Sequence, residues 1–152
     1  MRVLGIAPSS TDFKWALLDG TRALPRILPL PSTSQKLPAD ACEGHALLSL
    51  RRLLSTFLAE QGAERVCVLQ AGSSQFRGPS ALRVKAEGIV QLVGAELELT
   101  VDLVAPQSLR AREKRFASIA SGSPEGVLNG GADFKPKIWR DAVLVAWCGL
   151  DE

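Results

Sequence analysis

Short apolar runs at the start of the chain alternate with polar segments. Residues 2–7 and 13–18 are two such runs, separated by the polar segment 8–12, and this pattern predicts a β-hairpin. A third strand is expected near residues 26–30. Prolines then interrupt the chain, and because proline neither donates to a strand ladder nor fits a helix interior, residues 31–39 are predicted to form an exposed connection.

Three later segments have the apolar spacing of helices. Asp40 is expected to cap the first, with Glu43 completing a capping box and Gly62 ending it. The second is expected to begin at a cap on Ser80 and to stop at Gly94, and the last to span residues 136–149. Their inner faces are predicted to carry Leu47, Leu50, Leu54, Phe57 and Leu58, then Leu82, Ala86, Ile89 and Val93, then Ile138, Ala142, Val145 and Gly149.

Apolar runs at residues 65–70 and 97–104 are typical of strands that lie inside a sheet, and a short basic helix is expected at residues 107–116. The order of elements predicts an α/β fold with a mixed five-stranded sheet, antiparallel in its first three strands and then parallel, with helices on both faces. We expect one domain over residues 1–152, with a flexible loop at residues 121–136.

Composition narrows the class of protein. The 152 residues are 46% hydrophobic and 22% charged, which is typical of one globular domain. The three cysteines form an odd set without a Cys-x-x-Cys pair, which favours free thiols and a reducing compartment. No apolar stretch approaches the roughly 18 residues of a membrane span, so we expect a cytoplasmic protein without membrane contact.

Charge is uneven along the chain. The formal net charge is only +2, but residues 107–140 hold seven Lys or Arg against three Asp or Glu. A cluster of this kind is either a solvated surface or a site that follows a phosphate backbone. The candidate phosphate-binding residues are Arg110, Arg112, Lys114, Arg115, Lys135, Lys137 and Arg140.

Several motifs together resemble a known family. They are the Val-Leu-Gly-Ile strand, the strand that ends at residue 70, the Gly-rich loop with Phe76-Arg77-Gly78, the helix containing Glu87-Gly88-Ile89, and the last helix containing Asp141-Ala142. The chain resembles the RNase H-like superfamily in its RuvC Holliday-junction-resolvase branch, over nearly its whole length. Residues 66–115 are most similar to a small group of uncharacterised bacterial proteins of that fold.

The resemblance implies a metal-dependent phosphodiesterase in which carboxylates on the first strand, the central strand and the last helix hold two Mg²⁺ ions. By position these ligands fall at Ala7, Gln70 and Asp141, and only Asp141 is a carboxylate. The anionic charge that two divalent ions require is therefore reduced. Glu87 is the candidate substitute, while Asp12 is better explained as a turn residue.

Three functions remain open. The favoured hypothesis is a catalytically degenerate module that binds DNA or RNA, branched or duplex, and needs no cofactor. The first alternative is a weak Mg²⁺- or Mn²⁺-dependent nuclease that uses Glu87, Asp141 and a displaced acid. The second is a protein-interaction or structural role as a homodimer through the second helix. A resemblance of Ser9-Ser10-Thr11 to the phosphate loop of actin-like ATPases would require a dimer across the site.

Overall fold

A computed structural model of the chain describes residues 1–9, 11–72 and 81–152. The described residues begin with four strands, continue with helices between two further strands, and end with helices. The strands are β1 (Arg2–Pro8), β2 (Asp12–Gly20), β3 (Pro25–Leu28), β4 (Ser34–Lys36), β5 (Arg65–Leu69) and β6 (Thr100–Val104). The helices are α1 (Glu43–Gln61), α2 (Ala81–Glu96), α3 (Leu109–Ile119), α4 (Pro124–Leu128) and α5 (Lys137–Cys148), with a 3₁₀ turn at Pro106–Ser108 before α3.

The strands form one mixed sheet in the order β3-β2-β1-β5-β6, and β4 pairs with β2 beside β3. The pairs β1–β2, β2–β3 and β2–β4 are antiparallel, whereas β1–β5 and β5–β6 are parallel. The predicted mixed α/β sheet is confirmed. Its central strand β1 is buried over nearly its whole length, as expected for a strand covered on both faces.

Helices cover both faces of this sheet. Alternate side chains of β1, including Val3 and Ala7, pack with Phe116 of α3 and with most of α5. The intervening side chains, including Leu4 and Ile6, pack with α1 and α2. This division follows from the two-residue period of a strand, which sends successive side chains to opposite faces.

Gly5 sets the position of α5. A Cβ atom at Gly5 would collide with the carbonyl oxygen of Ala142, and one at Gly149 would collide with the Val3 side chain. Glycine at residue 5 therefore lets the helix backbone lie directly on β1. Because Gly149 lies over the start of β1 and Ala142 over its middle, α5 runs antiparallel to β1, and its first turn lies near Ala7.

The structure corrects the expectation of an exposed connection at residues 31–39. Ser34–Lys36 form strand β4, in which Ser34 pairs with Lys14 of β2, so the described residues form a sheet of six strands instead of the expected five. Three polar residues at a sheet edge have no hydrophobic alternation, which is why the pattern did not predict a strand.

The predicted cap of the first helix is also wrong. Cys42 occupies the N-cap position without a side-chain cap, and Asp40 Oδ1 instead accepts a hydrogen bond from the Cys42 N–H at 2.8 Å. Glu43 makes no capping box, because its carboxylate pairs with Lys85 of α2 at 2.5 Å. The predicted end of α1 is confirmed, since Gly62 adopts the left-handed conformation with φ 61°.

Further element boundaries differ from those predicted. Helix α2 continues through Gly94 to Glu96, and the absence of a side chain at Gly94 leaves room for the Val101 side chain. Pro124–Leu128 form the short helix α4 within the segment 121–136 that was expected to be a loop. The predicted Ser80 cap, the loop at residues 73–79 and Ser10 lie outside the described residues. Within the described ranges, no helix combines the length and the apolar character that crossing a bilayer requires.

Candidate functional site

The three positions that the family resemblance singles out lie at one edge of the sheet. Ala7 is fully buried near the carboxyl end of β1, and Gln70 directly follows the parallel neighbour β5. Carboxyl ends of parallel strands meet at the same edge, and this edge is where open α/β sheets bind ligands. The first turns of α5, including Asp141, reach this edge from one face, and α2 reaches it from the other.

A lysine lies beside Ala7. Lys14 is directly opposite Ala7 in the β1–β2 register, so both side chains leave the same face of the sheet. Its Nζ donates to Asp12 Oδ2 and to Ser34 Oγ, each at 2.7 Å. The hydrogen bond from Lys14, together with one from Ser9, lowers the pKa of the Asp12 carboxyl. Asp12 is therefore committed to the hairpin and its neighbouring strand.

Glu87 on α2 overlooks the end of β5. Its Oε2 accepts a hydrogen bond from the Ala71 backbone N–H at 3.0 Å. One turn earlier on α2, Arg83 Nη2 donates to the Gln70 carbonyl oxygen at 3.3 Å, and burial lowers the pKa of Arg83. This part of the edge thus holds one cation, Arg83, and one carboxylate, Glu87, which is hydrogen-bonded to a backbone N–H.

Asp141 is the carboxylate at this edge that makes no internal hydrogen bond. It is partly buried, and in the described part of the chain no donor or salt-bridge partner engages it. Burial raises the pKa of Asp141, while the charges of Arg140 and Lys137 partly oppose the rise. A partly buried carboxylate without a partner lowers the stability of the folded chain, because its charge is partly desolvated. Such residues are typical of binding and catalytic sites.

These residues do not fit a two-ion centre. Ala7 offers no ligand atom, Gln70 offers a neutral side-chain oxygen, and Glu87 is bonded to the Ala71 amide. Over residues 1–9, 11–72 and 81–152, no cluster of three or more His, Cys, Asp or Glu could hold a metal ion. Two hard divalent cations need several anionic oxygens to offset their mutual repulsion, and this donor set lacks them.

One of the seven predicted phosphate-binding residues has an internal role instead. Arg140 donates from Nη2 to Glu113 of α3 at 2.5 Å and from Nε to Glu125 of α4. Burial alone would lower the pKa of Arg140, but these two carboxylates more than offset it, so the pKa is raised. Arg140 therefore joins three helices and is not free to contact a phosphate.

The other six divide into two groups. Arg112 donates to Ser108 Oγ at 3.0 Å, and Arg115 donates to Glu152 Oε1 at 3.3 Å. The remaining four are exposed, and no described residue forms a hydrogen bond or salt bridge with their side chains. They are Arg110, Lys114, Lys135 and Lys137.

Comparison with solved structures identifies the fold. Thermus thermophilus RuvC in complex with a Holliday junction substrate matches 97% of this chain and 91% of its own with a TM-score of 0.74 at 17% identity. A second T. thermophilus RuvC structure matches with a TM-score of 0.68 at 17% identity, over 97% of this chain and 92% of that one. The yeast mitochondrial Holliday junction resolvase Ydc2 matches with a TM-score of 0.62 at 12% identity, over 96% of this chain and 78% of its own.

This chain has a RuvC-like, RNase H-like fold, and the resemblance inferred from its motifs is confirmed. No protein-family model matches the sequence, and no curated protein matches it.

The comparison corrects the expectation of no cofactor. The three matched structures reported above are RuvC-type resolvases, a class that uses divalent metal ions, so the expectation of no cofactor is not supported. The residues at the sheet edge nevertheless lack the donors for a two-ion site.

Sequence reasoning missed the charged residues that now surround the edge. Lys14 could have been found by counting from the predicted turn at residues 8–12, because that count places it opposite Ala7. Arg83 had no comparable signal, since its contact with Gln70 is made between two separate segments of the chain. The predicted cleft with Ala7, Gln70, Glu87 and Asp141 stays a prediction as a functional site.

Proposed function

We propose that this chain binds the phosphate backbone of nucleic acid through the exposed cations Arg110, Lys114, Lys135 and Lys137. The observation that carries this proposal is that none of these four side chains has a hydrogen-bond or salt-bridge partner among the described residues. Cations free of internal partners can neutralise phosphates and release condensed counterions, which drives binding without sequence preference.

Their location supports the same function. Lys135 and Lys137 lie at the start of α5, which reaches the sheet edge that holds Asp141. A fold match, T. thermophilus RuvC, is described in complex with a Holliday junction. We therefore expect duplex or branched nucleic acid as the partner, with the cleft near Ala7, Gln70 and Asp141 facing it and catalysis reduced or absent.

The test is fluorescence anisotropy with a labelled four-way junction, a duplex and a single strand at low and moderate salt. The double variant Lys135→Glu/Lys137→Glu should weaken binding at least tenfold and reduce the salt slope by about 0.9 for each phosphate that is no longer neutralised. Lys137→Glu is compared with Arg52→Glu, which makes the same charge change at an exposed arginine of α1. Absence of binding at low salt, or a salt slope unchanged by the double variant, contradicts the proposal.

A second candidate is divalent-metal-dependent cleavage with Glu87, Asp141 and a displaced acid, and the absence of an internal partner for Asp141 among the described residues favours it. The same titrations are repeated with Mg²⁺ and with Mn²⁺, and product length is measured afterwards. Cleavage that disappears in Asp141→Asn supports an enzyme. Intact products under all conditions support a binding module.

A further inference from the structure

A second concave site lies at the end of α5, whereas Asp141 lies near its beginning. It is a cavity of about 280 Å³ lined by Arg22, Arg112, Arg115, Ser108, Trp147 and Cys148, and we call it the arginine pocket. Trp147 and Cys148 are at the end of α5, near the start of β1, whereas Asp141 is near the beginning of that helix. The pocket and the candidate cleft therefore lie at opposite ends of α5.

Arg22 is held rigidly at the wall of the pocket. Its Nη2 donates to the Cys148 carbonyl oxygen at 2.8 Å, and its guanidinium carbon lies 5.9 Å from the centre of the Trp147 ring. Trp147 Nε1 in turn donates to the Arg22 carbonyl oxygen at 3.0 Å. The buried Arg22 Nε has no hydrogen-bond partner among the described residues. One donor of a fixed guanidinium is thus unused.

Two arginines of α3 complete the positive lining. Arg112 is held by its bond from Nε to Ser108 Oγ, and Ser108 is itself anchored to the Ala105 carbonyl oxygen at 2.7 Å. Burial raises the pKa of the Cys148 thiol, and the nearby charge of Arg112 opposes that rise. Arg115, one turn after Arg112, is at the rim. One guanidinium group from the turn after β2 and two from α3 therefore line the same small cavity.

One carboxylate partly neutralises these charges. Glu152 Oε1 lies 3.4 Å from Arg22 Nη1 and 3.3 Å from Arg115 Nη2, both at the long end of hydrogen-bond distances. Its side chain remains 80% exposed. The Arg22 backbone N–H donates to the Asp151 carbonyl oxygen at 2.8 Å, which brings this carboxylate to the rim. The Glu152 carboxylate thus lies where an external anion would bind, but its own hydrogen bonds to the two arginines are long.

We propose that the arginine pocket binds a compact phosphate group, and that Glu152 competes with it. Guanidinium groups present planar sets of donors that match phosphate oxygens. A partly buried guanidinium has already lost part of its hydration shell, so less hydration free energy is lost when a phosphate binds to it. The volume is below the usual 300–1,000 Å³ of small-molecule sites, which suits a phosphate or a small phosphomonoester. The phosphate belongs either to a free small molecule or to the end of a nucleic-acid strand.

Calorimetric titration with inorganic phosphate tests the site directly. Glu152→Gln should tighten phosphate binding severalfold, because the internal competitor loses its charge. Arg115→Gln should weaken it about tenfold, and we expect this variant to fold, because the Arg115 side chain is 60% exposed. The matched controls Glu60→Gln and Arg52→Gln make the same charge changes on α1 and should leave phosphate affinity unchanged.

Two outcomes overturn the inference. The first is the absence of phosphate binding at millimolar concentrations in both the natural chain and Glu152→Gln. The second is a change in phosphate affinity in the control variants as large as that in Glu152→Gln and Arg115→Gln. A short oligonucleotide with and without a 5′-phosphate then separates the two sources of the ligand, since only a strand-end site prefers the phosphorylated form over free phosphate. The titration with inorganic phosphate does not depend on the nucleic-acid proposal, so the two fail separately.

Discussion

Asp141 combines partial burial with the absence of an internal partner among the described residues. Its pKa is raised by burial, so its charged form opposes folding at neutral pH. We expect Asp141→Asn to raise the midpoint of thermal unfolding at pH 7. Below the ordinary value of 3.8 the carboxyl is protonated in both folded and unfolded chains, so the gain should disappear there. Thermal unfolding curves at pH 7 and below pH 3.8 measure this difference in midpoint, with Asp133→Asn as the exposed control. An Asn variant that is less stable at neutral pH would indicate a structural bond instead.

At the scale of elements, Arg140 joins α5 to α3 and α4. Replacing it by Met leaves Glu113 and Glu125 facing each other without a cation, and we expect a loss of about 2 kcal/mol of unfolding free energy at pH 7. Urea unfolding measures this loss, with Arg52→Met as the control. A loss below the error of the measurement would mean that the helices are held by apolar packing alone.

The same ion pair predicts a pH dependence. The hydrogen bond from Arg140 lowers the pKa of Glu125 below its ordinary value of 4.5. Its stabilising contribution is therefore complete above 4.5 and is lost as the pH falls through the lower value of the folded chain. The difference in stability between the natural chain and Arg140→Met should shrink at acidic pH. A difference that stays constant between pH 7 and acidic pH would contradict this assignment.

Elements were predictable where local pattern determined them. The αL glycine at residue 62 and the apolar run of β5 are signals contained in a few neighbouring residues. The role of Arg140 was not predictable, because its partners are 27 and 15 residues away on other helices. The arginine pocket was hidden for the same reason, since Arg22 and Glu152 are 130 residues apart. A basic cluster in a sequence does not distinguish exposed cations from paired ones.

At the scale of the whole molecule, α2 leaves an apolar stripe exposed. Val84 and Leu92 are 48% and 46% exposed, and Gly88 between them has open space above it. These positions are four residues apart, so they share one helix face. Two copies could pack this face symmetrically, as expected for the homodimer through the second helix.

Sedimentation velocity over a range of concentrations tests this dimer. The natural chain should show a concentration-dependent mass, and Leu92→Glu should remain a monomer. Leu24→Glu is the matched control, because Leu24 is 81% exposed in the turn after β2. A natural chain that stays monomeric at high concentration, or a Leu92→Glu variant that still associates, would exclude α2 as the interface.

The pairing of Ala7 with Lys14 limits what an acidic residue at position 7 could do. An aspartate introduced at residue 7 would meet an ammonium group across the hairpin, and would compete with Asp12 and Ser34 for it. A carboxylate introduced at residue 7 would thus form a salt bridge before it could bind a cation. We therefore expect that a metal ligand at residue 7 would also require a change at residue 14.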